Sequence, residues 1–261
     1  MPVRLKAALI HLLSSVLIFG IVIGAMTSIW YPWPYYEING LFQGLRITAG
    51  VDLILGPSLT LLLFNQKKTR RALQLDLTLV AVIQLIALSY GVFTIYEQRP
   101  YVAVLLDGRI STQHRYDLPD GPAQARASAL ISANPQRPAI LAVRPAKDGE
   151  EFASMLAAEF TATGFPPEFV ERLEPVSAHW DENRKSALSM PQHLPKNAEA
   201  VFDDFLQQKK LKREDVTFLE VAGPFGGCMA AFLQKNGDFL GYVDIDPTSY
   251  SRAALAPKKK K

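Results

Sequence analysis

ITAGVDLILGPSLTLLLFNQ, residues Ile47–Gln66, holds a single formal charge in 20 positions, Asp52. About twenty apolar residues in helical form span a bilayer core, so this segment is long enough to cross one. Asp52, Gly56 and Thr60 recur every four residues and therefore share one side of that helix. Pro57 has no N–H and its ring clashes with the carbonyl of Leu53, which predicts a kink or local opening there. Gly-Pro ordinarily argues against a helix, but inside a membrane neighbouring helices can satisfy the freed backbone groups. An acid within a crossing is costly, faces protein or water, and marks a functional candidate.

Two further segments flank this one. Ala7–Trp30 is 24 residues without a formal charge, and Leu77–Tyr96 is 20 residues without one. The first has Arg4 and Lys6 in front of an apolar run, as a signal peptide does. Its apolar run is too long for that, and it ends in Trp30-Tyr31-Pro32-Trp33-Pro34-Tyr35-Tyr36 rather than a small-residue cleavage site, so a retained helix is expected. The predicted crossings are about 7–30, 45–65 and 76–96, within a membrane domain 1–98. The loop between the second and third, Asn65-Gln-Lys-Lys-Thr-Arg-Arg71, carries four bases and no acid. Positive loops stay cytoplasmic, and aromatic rings favour the interface, which predicts a cytoplasmic N-terminus and an outer position for residues 30–36. Everything after the third crossing then lies outside, in the periplasm of a bacterium.

The crossings are expected to meet through small and polar faces. Gln84, Ala87, Leu88 and Gly91 form a stripe on the third helix, and Gly20-x-x-x-Gly24 permits close approach on the first. Helix rise places Asp52 about 12 Å in from the outer end, near Gly44, at about the depth of Gln84. An Asp52–Gln84 hydrogen bond that fixes helix register is the first reading; contact with a partner's polar group is the second. His11 reads as a packing histidine near the inner side rather than a proton relay, for want of a carboxylate at its depth.

The charge balance supports the division. Residues 1–96 hold seven bases and three acids, a net +4, so the remaining 165 residues carry −1 of the total +3. Without the four terminal lysines, Lys258–Lys261, that second part is at −5. Such a chain lacks the basic clustering of a nucleic-acid binder. One cysteine, Cys228, excludes an internal disulfide framework and a cysteine-rich metal site.

Residues 99–256 are enough for an independent core, and 257–261 form a basic tail. Tyr101–Leu106 and Pro138–Val143 are short apolar runs bounded by turn residues, which predicts strands. Glu150–Thr163 has Phe152, Met155, Leu156, Glu159 and Phe160 at helical spacing and stops at Gly164. Pro167–Leu173 and Asn197–Lys210 suggest further helices. Val216–Val221, Cys228–Leu233 and Phe239–Ile245 read as closing strands, the last two joined at an Asn236-Gly237 hairpin. Residues 111–137 and 174–196 read as loops. The expected domain is α+β with a small antiparallel sheet. Cys228, with His179 and His193 earlier in the chain, raises the question of thiolate chemistry, but a small buried residue in a strand is the favoured reading. Asp244-x-Asp246 lacks the many further oxygens of a calcium loop and reads as strand-end turn acids.

An ordered set of motifs carries a resemblance: His11-Leu12-Leu13, Trp30-Tyr31-Pro32, Val51–Thr60 followed by Phe64-Asn65, Asp76-Leu77, Gln84–Gly91 and Arg99-Pro100. Over residues 1 to about 110 the chain resembles the type IV pilin accessory proteins of the TfpX/TfpZ type. Leu106-Asp107-Gly108-Arg109 is a variant of that family's pattern, and the terminal lysines are no part of it. The resemblance implies an inner-membrane chaperone or scaffold that assists assembly of a cognate type IV pilin, with no established catalysis and no cofactor. It implies the pilin as partner, with the pilus assembly machinery as a further candidate. His11, Asp52, Gly56, Pro57, Thr60, Gln84 and Gly91 are the candidate residues for pilin contact or helix packing. The alternative is a membrane-anchored periplasmic enzyme or sensor that uses Cys228 or Asp52.

Overall fold

The computed structural model describes residues 2–65, 67–162, 164–185 and 196–247; His193 and the tail at 257–261 lie outside them. The chain divides into two compact units, Met1–Tyr36 with Gly40–Arg99, and Glu37–Asn39 with Pro100–Lys261.

The first unit is helical. α1 (Val3–Ala25) continues through a π-helical turn, Met26–Trp30, and a short helix α2 (Tyr35–Ile38) follows, its last two residues counted with the second unit. α3 (Leu41–Ala49), a π-helical stretch Gly50–Leu55 and α4 (Gly56–Leu63) make one continuous second helix. α5 (Arg70–Glu97) starts at Thr69, whose hydroxyl accepts from the Ala72 N–H. Val3–Trp30, Leu41–Leu63 and Arg70–Glu97 are each long and apolar enough to cross a membrane. The expected opening before Pro57 takes the form of the Gly50–Leu55 π turns. A widened turn moves the preceding carbonyls away from a ring that has no N–H to offer them. Phe19, Met26, Tyr31, Leu41, Leu45 and Ile95 form the core of this unit. The Tyr31 hydroxyl donates to the Ile95 carbonyl at 2.9 Å. Leu13, Leu17, Ile21, Leu79, Ile83 and Ile86 point outward, so the open faces of the helices are apolar, unlike the polar outer face of a helix packed in water.

The second unit is built on one seven-stranded mixed sheet, which corrects the expectation of a small antiparallel one. Its strands are β1 (Val102–Leu106), β2 (Arg109–Gln113), β3 (Ala139–Val143), β4 (Leu173–Pro175), β5 (Val216–Gly223), β6 (Gly226–Leu233) and β7 (Phe239–Val243), in the order β4-β3-β1-β2-β5-β6-β7. β1 pairs parallel with β3 and β2 with β5; the other neighbours are antiparallel. Parallel pairing needs a long crossover. For β1 and β3 the crossover includes α6 (Pro122–Ala133), which lies in the stretch read from sequence as a loop. That helix is Ala-rich and buries only Ala127 and Ile131, so it shows almost no apolar stripe. The second expected loop, 174–196, is also corrected where described. Glu174 and Pro175 complete β4, a 3-10 turn spans Val176–His179, and α9 (Trp180–Lys185) follows α7 (Gly149–Thr161) and α8 (Pro167–Glu171). Pro175 is tolerated because β4 is an edge strand.

Two clusters fill this unit. One holds Val102, Val104, Leu141, Ala127, Ile131 and Phe169 among others. The other sets α10 (Lys196–Lys209) against β5, β6 and β7 through Phe202, Leu206, Phe218, Met229, Ala231 and Val243. The β6–β7 hairpin turns at Asn236-Gly237, as expected, with Gly237 at φ 74°. Residues Glu37–Asn39 belong to this unit: the Phe225 N–H donates to the Ile38 carbonyl at 3.1 Å and Asn39 donates to the Thr112 hydroxyl at 2.5 Å.

Candidate functional site

The first unit contains an internal seam of small and polar residues at a four-residue period. Gly44, Thr48, Asp52, Gly56 and Thr60 follow one another down the second helix. Opposite them on α5 stand Ile95, Gly91 and Gln84. A Cβ on Gly44 would lie 3.0 Å from Ile95 Cγ1, and one on Gly91 would lie 2.7 Å from Thr48 Oγ1. A Cβ on Gly56 would fall 1.9 Å from Gln84 Nε2. Small residues let these backbones approach, as in membrane helix pairs generally.

The polar groups of the seam bind one another. Gln84 donates to both the carboxylate and the carbonyl oxygen of Asp52, each at 3.2 Å. This is the pairing that equal depth predicts. Thr60 meets α1 instead, its hydroxyl 2.6 Å from His11 Nδ1. Asp52, Thr60 and Gln84 are buried, at 5%, 3% and 7% exposure. Such satisfaction is what an apolar surrounding requires, since an unpaired buried polar group costs roughly 1–3 kcal/mol. A cavity of about 230 Å³ opens beside them, lined by His11, Ser14, Ser15, Asp52, Gln84 and apolar neighbours. The expectation that His11 has no carboxylate at its depth is therefore corrected: His11 and Asp52 line the same cavity.

His11, Asp52 and Gln84 thus gather at the cavity, Thr60 attaches to His11, and Gly56 presses on Gln84. Pro57 sits in the first turn of α4 behind the π stretch, and Gly91 packs higher on the seam against Thr48. Gly20 and Gly24 have nothing within 4 Å of a Cβ, so their spacing is not used within the chain. Sequence reading missed Gly44, Thr48 and Ser15. Running the four-residue period backward from Asp52 finds the first two; Ser15 gave no such signal.

In the second unit Cys228 is buried inside β6, and burial, with Asp244, Glu37 and Asp246 adding to it, pushes its thiol up to about 12. That is the reverse of the lowered pKa of a nucleophilic cysteine. His179 pairs with Glu174 at 3.1 Å.

A three-helix bundle of membrane-spanning length, with a polar seam bonded internally beside a small cavity, followed by a mixed-sheet domain, defines the class of protein. A family model described as "Fimbrial assembly protein FimB" matches residues 1–40. The chain is 30% identical over 249 residues to the fimbrial assembly protein of serogroup I from Dichelobacter nodosus, covering 92% of this chain and 95% of that one. The serogroup E1 protein of the same organism is 29% identical over 252 residues, with the same coverage. That of serogroups C1 and C2 is 36% identical over 99 residues, 38% of this chain and 76% of its own. No solved structure matches. The chain belongs to the fimbrial assembly protein family.

Proposed function

We propose that this chain is a bacterial inner-membrane accessory protein that assists assembly of a cognate type IV pilin, as a scaffold or chaperone and without catalysis. The observation that carries the reading is the 30% identity to a fimbrial assembly protein along 95% of that relative. Three helices cross the membrane, with Arg4, Lys6, Lys67, Lys68, Arg70 and Arg71 on the cytoplasmic side and residues from about 99 onward in the periplasm. The excess of bases at those two flanks supports this orientation.

Within that role, His11, Asp52, Gly56, Pro57, Thr60, Gln84 and Gly91 act in packing. Their polar atoms and close approaches are taken up by the bundle itself, which favours packing over direct contact with a pilin helix. The bundle then holds one arrangement while other surfaces meet the pilin or the assembly machinery.

The test is deletion and complementation in a piliated host, read by electron microscopy and by pilin level. Loss of pili that the wild-type gene restores is expected. Full piliation of the deletion strain would remove the proposal. Cys228→Ala should complement fully; failure at normal protein level would return the thiol to consideration. Alkaline phosphatase fused after residue 98 should be active, and after residue 68 inactive.

A further inference from the structure

α7 carries its largest apolar side chains outward. Phe152, Leu156 and Phe160 are 60%, 44% and 82% exposed, while on the opposite side Ala158 is buried and Met155 packs on the core. The three share one face at a four-residue spacing and make an apolar ridge about 12 Å long. Alongside it lies a cleft of about 310 Å³ whose apolar wall includes Leu106, Val143, Met155 and Phe169. A contiguous apolar patch of this kind beside a cleft marks an interaction surface more often than a bare solvent face.

The rim identifies the occupant. Asp107 and Glu159 are exposed and line the cleft, and Asp148 and Glu150 are exposed at the start of α7. Arg144 and Arg172 are already engaged by Glu151, at 2.5 and 3.1 Å, which leaves Lys147 as the exposed base of the segment 144–162. A second copy of the chain docked on this face by two-fold symmetry would set acid against acid. Anionic lipid headgroups would be repelled in the same way. A protein segment with an apolar ridge and lysine or arginine beside it fits both features.

We propose that the outward face of α7, with the cleft beside it, docks an apolar, basic-flanked segment of a partner protein. The proposal stands on this surface; it rests on the assembly role only for the probe, the purified fimbrial subunit of the same strain. The full chain in nanodiscs carries a photo-crosslinking residue at Phe152 or at Phe160 and is irradiated with that subunit. The expected product joins α7 to a subunit peptide that is apolar and flanked by Lys or Arg. Glu159→Lys should cut the yield about tenfold, and added salt should lower it too. Adducts only between two copies of the chain, adducts only with lipid, or no adduct from either position with the protein folded by circular dichroism would each overturn the proposal. Piliation separates it from the assembly role. If deletion abolishes pili while Phe152→Ser/Phe160→Ser restores them fully, this docking surface fails and the role stands.

Discussion

Gly56→Ala should destabilise the helical bundle through one identifiable contact. The added methyl would lie 1.9 Å from Gln84 Nε2, 2.6 Å from Cδ and 2.9 Å from Oε1. The carboxamide must therefore leave, and with it go both bonds to Asp52, each now 3.2 Å long. Bonds between membrane helices average about 0.6 kcal/mol and reach about 1.7, so the pair accounts for about 1–3 kcal/mol. Strain from overpacking adds about 1–3 kcal/mol, and the better helix propensity of alanine returns up to about 1. Because the obstacle is the flexible end of a side chain, a net loss in the lower part of that range, about 1–3 kcal/mol, is expected, a factor of about 5 to 150 in the unfolding equilibrium. The assay is a dodecyl sulfate titration of the full chain in maltoside micelles, read by Trp30 and Trp33 fluorescence in a Trp180→Phe background. The decisive comparison repeats the substitution on Gln84→Ala, where the obstacle is gone and Gly56→Ala should cost close to nothing. Equal cost in the two backgrounds would refute the contact as the cause.

Other outcomes follow from the same geometry. Gly20→Ala and Gly24→Ala, with nothing within 4 Å, should leave the titration midpoint unmoved, whereas Gly91→Ala should lower it, at a cost of about 1 kcal/mol against Thr48. Glu151 accepts from Arg144 and from the Lys147 N–H and faces Arg172, which lowers its carboxyl from 4.5 to about 2. A depressed carboxyl contributes stability above its unfolded value and loses it as pH falls toward 2. Wild type should thus exceed Glu151→Gln in acid unfolding at pH 5, and the two should converge near pH 2. Cys228, with its thiol pushed up to about 12 and its side chain buried, should resist iodoacetamide at pH 8 in the native protein and react after denaturation. Rapid native alkylation would contradict the placement of that strand.

The helical unit was legible because its constraints are few and strict. Length and the scarcity of charge mark three long apolar helices, and the Asp52–Gln84 pairing came from counting depth alone. The mixed-sheet unit was less legible for physical reasons. The parallel pairing of β1 with β3 depends on a crossover helix whose residues, Pro122–Ala133, bury little and so imprint little pattern. Two signs were present: Gly121-Pro122 is a good helix start, and β1 and β3 are unbroken apolar runs, the mark of strands covered on both faces.

Periodicity has a further limit that this molecule exposes by repeating one spacing in two places. Asp52, Gly56 and Thr60 recur every four residues, and so do Phe152, Leu156 and Phe160. By pattern alone the polar triad is a face that either bonds within the bundle or meets a partner, and the apolar triad is a face given to the core. The structure assigns the polar triad to the interior, at 5% exposure for Asp52 and 3% for Thr60, and the apolar triad to the outside, at 44% to 82%. The reason is the solvent on each side of the comparison. Within a bilayer apolar side chains lose nothing by facing out, so polar and small ones gather inward where they can bond. In water an apolar ridge facing out is costly, and its persistence on α7 asks for something to cover it. A spacing identifies a face; the medium around that face decides whether burial or exposure is the feature to explain.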